Sequence, residues 1–259
     1  MLKSSRLLLF SLLLILLAAC TSQETATPAA TPTLAPSPTP GVTPTTTIPA
    51  ITSTLVHFKT SDDVNLAGSM YGSGKIFVIC SHELRTTKEI WKDSGMPQRL
   101  AALGYHVLAY DFRGNGDSAG TSNLTILDTD LKAAITFAKK QGATKIVLLG
   151  SSMGGTASLK VAASTDVAAV VTLSAPEMFP TNVTDEDVKA IKAPKLFINS
   201  EFDDYTNDTK HMYDVASAPK ELHIYTDSNL HGVALFGSDH SADLYQRILT
   251  FITHYAPLS

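Results

Sequence analysis

The feature that most narrows what this chain can fold into is Lys145–Gly155, KIVLLGSSMGG. Ile146-Val147-Leu148-Leu149 is a short unbroken apolar run, the pattern of a strand buried on both faces. Gly150-Ser151-Ser152-Met153-Gly154 follows and fits G-x-S-x-G, and Thr156–Ala163 reads as a helix of small residues. A strand that turns at once into a helix forces one residue at the tip into a strained backbone conformation. The flanking glycines remove the Cβ atoms that would collide there. The tip residue is Ser152. Its hydroxyl stands at a helix N-terminus, where free N–H groups and the helix dipole favour negative charge. The N–H of Met153 is placed to donate to an oxyanion. Three fixed positions recur by chance in chains of this size, so a base and an acid must be found elsewhere.

The 259 residues, 44% hydrophobic and 17% charged, suit one sizeable globular domain with additions. The additions lie first. Lys3 and Arg6 precede an apolar run from Leu7 to Ala19, too short for an ordinary spanning helix and suited to a signal peptide. It ends in Leu17-Ala18-Ala19-Cys20, which resembles the lipobox of bacterial lipoproteins. That resemblance implies cleavage after residue 19, lipidation of Cys20, export, and an extracytoplasmic lipid anchor to the cell membrane. Residues 21–50 hold ten Thr and seven Pro with Glu24 as the only charge. Such a stretch has too little apolar surface to fold, and reads as a semi-stiff tether reaching at most ~90 Å. The globular domain then occupies residues 51–259. Loss of residues 1–19 leaves 18 basic against 24 acidic residues, and no basic stripe points to nucleic acid. With Cys20 lipidated, Cys80 has no partner for a disulfide and reads as a small buried hydrophobe.

Within the domain, strands and helices alternate. A hairpin is expected over Thr54–Lys59 and Val64–Tyr71, and strands over Lys75–Cys80, Tyr105–Tyr110, Ile146–Leu149, Ala168–Leu173, Lys195–Asn199 and Glu221–Tyr225. Helices are expected over Ile90–Leu103, Leu127–Gln141, Thr184–Lys192, Thr206–Ala216 and Ala242–His254. This order gives a mainly parallel sheet with helices on both faces, and ligands in such sheets sit at the carboxyl ends of the strands. There the reactive residues collect: Ser152, then Asp203-Asp204 after Lys195–Asn199, then His231 after Glu221–Tyr225. A serine hydroxyl needs an imidazole to take its proton, and the imidazole needs a carboxylate to fix its tautomer. Either aspartate can serve as the acid or cap the helix from Thr206, and His231 competes with seven other histidines, His240 nearest. Of these, His240 is expected to face solvent and His82 to be loop scaffold.

With these motifs in view, the chain resembles the α/β-hydrolase fold family over residues 52–256. Besides the elbow, Asp111-Phe112-Arg113-Gly114-Asn115-Gly116-Asp117-Ser118 is similar to the family's D-x-R-G-x-G-x-S loop. Asp203 stands three residues after a small residue, here Ser200, and His231-Gly232 stands where the family places its base. The resemblance implies Ser152 as nucleophile, His231 as base and Asp203 as acid. It also implies N–H groups of Met153 and Leu84 as the oxyanion hole and a loop role for Arg113; with no metal-ligand cluster of convincing spacing and no phosphate-binding glycine loop in the sequence, no cofactor or metal is expected. One departure is the family's His-Gly pair, which here is His82-Glu83. Glu83 cannot take positive φ freely, and a carboxylate aimed into the site opposes an oxyanion unless Arg85 or Lys88 neutralises it. Between Ala175 and Pro194 there is room only for a short lid. The function expected is a serine hydrolase acting on small carboxylic esters. A peptidase or amidase on the same fold, or a surface binding module without catalysis, stands beside it. Oligomeric state is not legible.

Overall fold

The computed structural model describes residues 50–258, so the expected signal peptide, Cys20 and nearly all of the tether lie outside the described residues. The chain runs β1 (Thr54–Lys59), β2 (Asn65–Tyr71), β3 (Ile76–Ser81), α1 (Glu89–Ser94), α2 (Met96–Leu103), β4 (His106–Tyr110), α3 (Leu127–Lys140), β5 (Lys145–Ser151) and α4 (Met153–Ala162). It continues β6 (Ala169–Leu173), α5 (Asp185–Ala190), β7 (Lys195–Ser200), α6 (Thr206–Val215), β8 (Lys220–Tyr225), a 3₁₀ helix (Gly232–Gly237) and α7 (Ser241–Tyr255). The eight strands form one sheet in the order β1-β2-β4-β3-β5-β6-β7-β8. The β1–β2 and β2–β4 pairs are antiparallel and every other pair is parallel.

Successive side chains of a strand point to opposite faces, and the core divides accordingly. Ile146 and Leu148 of β5 join Phe77, Ile79, Leu108 and Phe197 in one apolar layer, beneath α3 and α4. Val147 and Leu149 join Val78, Cys80, Val107 and Ile198 in the other, beneath α2 and α7. A sheet covered on both sides requires strands that are apolar at every position, which is why β3 and β5 carry no polar residue mid-strand. The buried Cys80 belongs to this packing, and burial pushes its thiol pKa well up.

One expected element differs. The helix foreseen over Ile90–Leu103 is two helices, broken at Gly95 with φ 72°. Gly95 donates its N–H to Lys92 O and ends α1 in the left-handed conformation, while Pro97 opens α2. The break turns α1 toward the 3₁₀ helix. Trp91 meets Phe236 edge-on at 6.4 Å between ring centroids, and the Tyr245 hydroxyl donates to Ser94 O. The 3₁₀ helix itself was not foreseen. The segment between Ala175 and Pro194 carries the single short helix α5, started by a reciprocal cap between Thr184 and Asp187.

Candidate active site

Ser152 sits between β5 and α4 with φ 50° and ψ −122°, a conformation that costs energy for any residue with a Cβ. The glycines around it are required by contact. A Cβ on Gly150 would lie 2.2 Å from Gly154 O, and one on Gly154 would lie 2.2 Å from Ser81 O. The elbow therefore locks α4 against β3. Ser152 is 7% exposed, at the carboxyl end of the parallel strands. Among the described residues, neither the Met153 N–H nor the Leu84 N–H has a hydrogen-bond acceptor. Both are donors free for a ligand.

Asp203 follows β7 and is 8% exposed. Its Oδ1 accepts the Tyr205 N–H at 2.8 Å, which fixes the carboxylate so that Oδ2 lies 2.6 Å from His231 Nδ1. Asp204 is exposed. Asp203, and not the exposed Asp204, meets the imidazole: its carboxylate caps its own turn and also bonds His231. Burial of the His231 ring works against its charged form, but the hydrogen bond and charge of Asp203, with Glu83 and Asp204 behind, outweigh it. The net effect raises the pKa above its ordinary value.

His231 lies on a loop held on both sides. Ser200, at the end of β7, donates its hydroxyl to Leu230 O at 2.6 Å. Ser174, after β6, accepts the Gly232 N–H at 2.9 Å and donates to Asn199 Oδ1 at 2.7 Å. Glu83 Oε1 accepts the Val233 N–H at 2.7 Å and the Ser151 hydroxyl at 2.6 Å. Gly232 has φ 54°, and a Cβ there would lie 2.0 Å from Glu83 Oε1 and 2.3 Å from Ser151 Oγ. Among the described residues no hydrogen bond joins Ser152 to His231. A Cβ on Gly232 would stand 2.3 Å from Ser151 Oγ, so the backbone after His231 closely approaches the strand end that carries Ser152; bonds between a base and its nucleophile are often long before substrate binds.

In the loop after β3, Glu83 avoids positive φ, as expected. Positive φ falls on Arg85, at 61°, and not on Glu83. The Glu83 Oε1 is taken up by the two donors just named. Lys88, 4% exposed, is not its counter-ion: it pairs with Asp111 Oδ2 at 2.8 Å and Asp117 Oδ2 at 2.6 Å. Desolvation opposes the Lys88 charge, yet these two carboxylates hold its pKa above the usual value. His82 is scaffold, as expected. Its Nε2 accepts the Phe112 N–H at 3.0 Å, so Nδ1 carries the proton and donates to Glu83 O at 2.7 Å. Burial keeps it neutral.

Arg113 tethers loops, also as expected: its guanidinium bonds Asp130 Oδ1 at 2.7–2.8 Å and Asp62 in the β1–β2 turn at 2.7–3.0 Å. His240 does not simply face solvent; it stacks on Tyr225 at 4.5 Å and lies 3.0 Å from Asp227. Of the features sequence reading missed, Ser151 and Ser174 are small hydroxyl residues at strand ends and carry no motif of their own. The one signal was Gly232, a glycine directly after the base.

Two openings border the loop that carries His231. One of about 320 Å³ is lined by Phe202, Asp203, Asp204, Tyr205, Asn229 and His231. The other, about 350 Å³, lies among Glu83, Ile90, Asp93, Val233, Ala234 and Phe236. Elsewhere, Glu177, Asp185 and His211 bring three possible metal donors together. Both His211 nitrogens already face carboxylates, at 2.9 and 3.6 Å, and the Glu177 hydrogen bond raises its pKa, so the trio is an ion-pair cluster.

Several solved structures share this architecture. Esterase Pf2001 of Pyrococcus furiosus superposes with TM-score 0.70 at 21% identity, covering 79% of this chain and 93% of that one. The esterase domain of a Rhodothermus marinus protein gives 0.63 at 21%, covering 78% and 98%. The esterase EaEST of Exiguobacterium antarcticum gives 0.62 at 16%, covering 76% and 99%. At such identities the likeness is one of fold. No curated protein sequence matches the chain. The sequence model of the alpha/beta hydrolase family matches residues 72–252, from the end of the first hairpin to the last helix. With the elbow, the strand order and that match in agreement, the chain belongs to the alpha/beta hydrolase family.

Proposed function

We propose that this protein is a serine hydrolase acting on carboxylic esters, with Ser152, His231 and Asp203 as its triad. The observation that carries the reading is the 2.6 Å bond between Asp203 Oδ2 and His231 Nδ1, on a loop fixed beside a strained serine. With Nδ1–H engaged, Nε2 is the nitrogen left to take a proton. Ser152 Oγ attacks the ester carbonyl carbon as His231 Nε2 accepts the hydroxyl proton. The oxyanion is received by the N–H groups of Met153 and Leu84. His231 then gives the proton to the departing alkoxide, leaving an acyl-enzyme, and activates water to release the acid and regenerate the serine.

The openness of the site sets the substrate class. The lid segment offers one six-residue helix, and Phe202 at the mouth of the site is 67% exposed. An apolar ring at an open rim suits small or exposed acyl groups. The test is turnover of short-chain p-nitrophenyl esters. Ser152→Ala is expected to lose about a thousandfold or more in kcat and to escape fluorophosphonate labelling. Undiminished turnover by that variant would end the assignment.

We further propose that the enzyme works outside the cytoplasm, tethered through lipidated Cys20. Labelled fatty acid incorporated by the wild-type chain and not by Cys20→Ser is the expected result. Equal labelling of both would dismiss the anchor.

A further inference from the structure

Glu83 is the residue the hydrolytic mechanism leaves unexplained. It stands directly after His82, whose ring is locked between Phe112 N–H and Glu83 O. Its backbone is therefore fixed, and its side chain reaches across two other strand ends. One oxygen, Oε1, takes the Ser151 hydroxyl at 2.6 Å and the Val233 N–H at 2.7 Å. Ser151 directly precedes the proposed nucleophile, and Val233 follows the proposed base by two residues. The close approach is possible only because residue 232 has no Cβ, which would stand 2.0 Å from the same oxygen.

The other two fastenings of the loop differ in kind. Ser200 and Ser174 hold Leu230 and Gly232 to the ends of β7 and β6. Glu83 alone among the three also bonds the strand end that carries Ser152. Hydrogen bonds to an ionised acceptor are roughly twice as strong as neutral ones. A single carboxylate oxygen receiving both donors couples the two halves of the site more firmly than two independent neutral bonds.

We propose that Glu83 is a positioning residue: its carboxylate fastens the loop bearing His231 to the strand end bearing Ser152. This rests on the reading of Ser152 and His231 as nucleophile and base. It turns the departure from the family's His-Gly pair into a working part of the site. Its Oε1 is directed at Ser151 and the loop backbone, both of which donate to it.

The experiment compares Glu83→Ala, Glu83→Gln and Ser151→Ala with the wild-type chain on a short-chain p-nitrophenyl ester. Glu83→Gln keeps an acceptor oxygen and is expected to hold kcat within about fivefold, whereas Glu83→Ala drops it about a hundredfold with KM little changed, the cost of misplacing a reacting group by about 1 Å. Ser151→Ala cuts only the link to the elbow and is expected to lose kcat severalfold. A second readout does not need turnover: the downfield Nδ1 proton of His231 in the NMR spectrum, assigned by its loss in His231→Ala. It is expected to persist in Glu83→Gln and to broaden or shift upfield in Glu83→Ala. Wild-type kcat in Glu83→Ala, wild-type kcat in Ser151→Ala, or an unmoved His231 proton in folded Glu83→Ala would each overturn the proposal. If Glu83→Ala fails to fold, Ser151→Ala and Glu83→Gln still decide it. A wild-type chain without turnover or fluorophosphonate labelling would instead remove the hydrolase reading and leave the NMR comparison to judge Glu83.

Discussion

Replacing Arg113 by Ala tests the structural core of the loop after β4. Asp130 on α3 is fully buried, and its carboxylate takes three bonds, all from Arg113: the backbone N–H at 2.9 Å, Nε at 2.8 Å and the terminal guanidinium nitrogen at 2.7 Å. Arg113→Ala removes two of these and, among the described residues, the cation paired with the carboxylate, leaving the backbone N–H. Asp62, the other partner, is half exposed, and water takes over its bonds. Removing one member of a buried pair costs about 3–5 kcal/mol, a large part of a typical domain stability of about 5–15 kcal/mol. With m of about 2 kcal/mol/M, the urea midpoint should fall by about 2 M.

The loss should also depend on pH. Burial already raises the Asp130 pKa above the usual carboxylate value, and the Arg113 bonds only partly offset it. A carboxyl whose folded pKa exceeds its unfolded one binds more protons when folded, so its ionisation lowers stability as pH rises toward the folded pKa. Arg113→Ala widens the gap, so the deficit should be greatest above that raised pKa and shrink as pH falls through it. The double variant Arg113→Leu/Asp130→Leu removes both charges and should be less destabilised than Arg113→Ala alone. An Arg113→Ala midpoint within about 0.5 M of wild type, or a deficit that grows toward acid, would refute the account.

Two further predictions concern the site. Since Asp203 holds the His231 pKa above its ordinary value, kcat/KM should decline as pH falls through a point above 6.5, and Asp203→Asn should lower that point while reducing kcat by about 10⁴-fold; a pH–rate profile for both proteins decides this, and an unmoved acidic limb would refute it. Gly154→Ala should abolish activity and lower the thermal midpoint, because its Cβ would meet Ser81 O at 2.2 Å and backbone cannot yield as a side-chain tip can; a wild-type melting curve would contradict the elbow packing.

What the sequence determined by itself is local and periodic. Unbroken apolar runs marked β3 and β5 because strands buried on both faces need apolar residues at every position. The glycines of GSSMGG marked the elbow because a Cβ on Gly150 would meet Gly154 O within the strand–turn–helix itself. Alternation of strand and helix then fixed the class of sheet, and the order Ser152, Asp203, His231 placed three reactive groups at strand ends. Tertiary structure alone decided the rest. Asp203 rather than Asp204 meets His231, because the Tyr205 N–H orients one carboxylate and the other is exposed. The helix over 90–103 breaks at Gly95, a residue whose effect depends on α1 finding Phe236 and Tyr245 to pack against. Glu83 looked like an obstacle to an oxyanion because its partners, Ser151 and Val233, lie 68 and 150 residues away in sequence. A charge is hostile or structural according to which donors surround it, and only the folded chain assembles those donors.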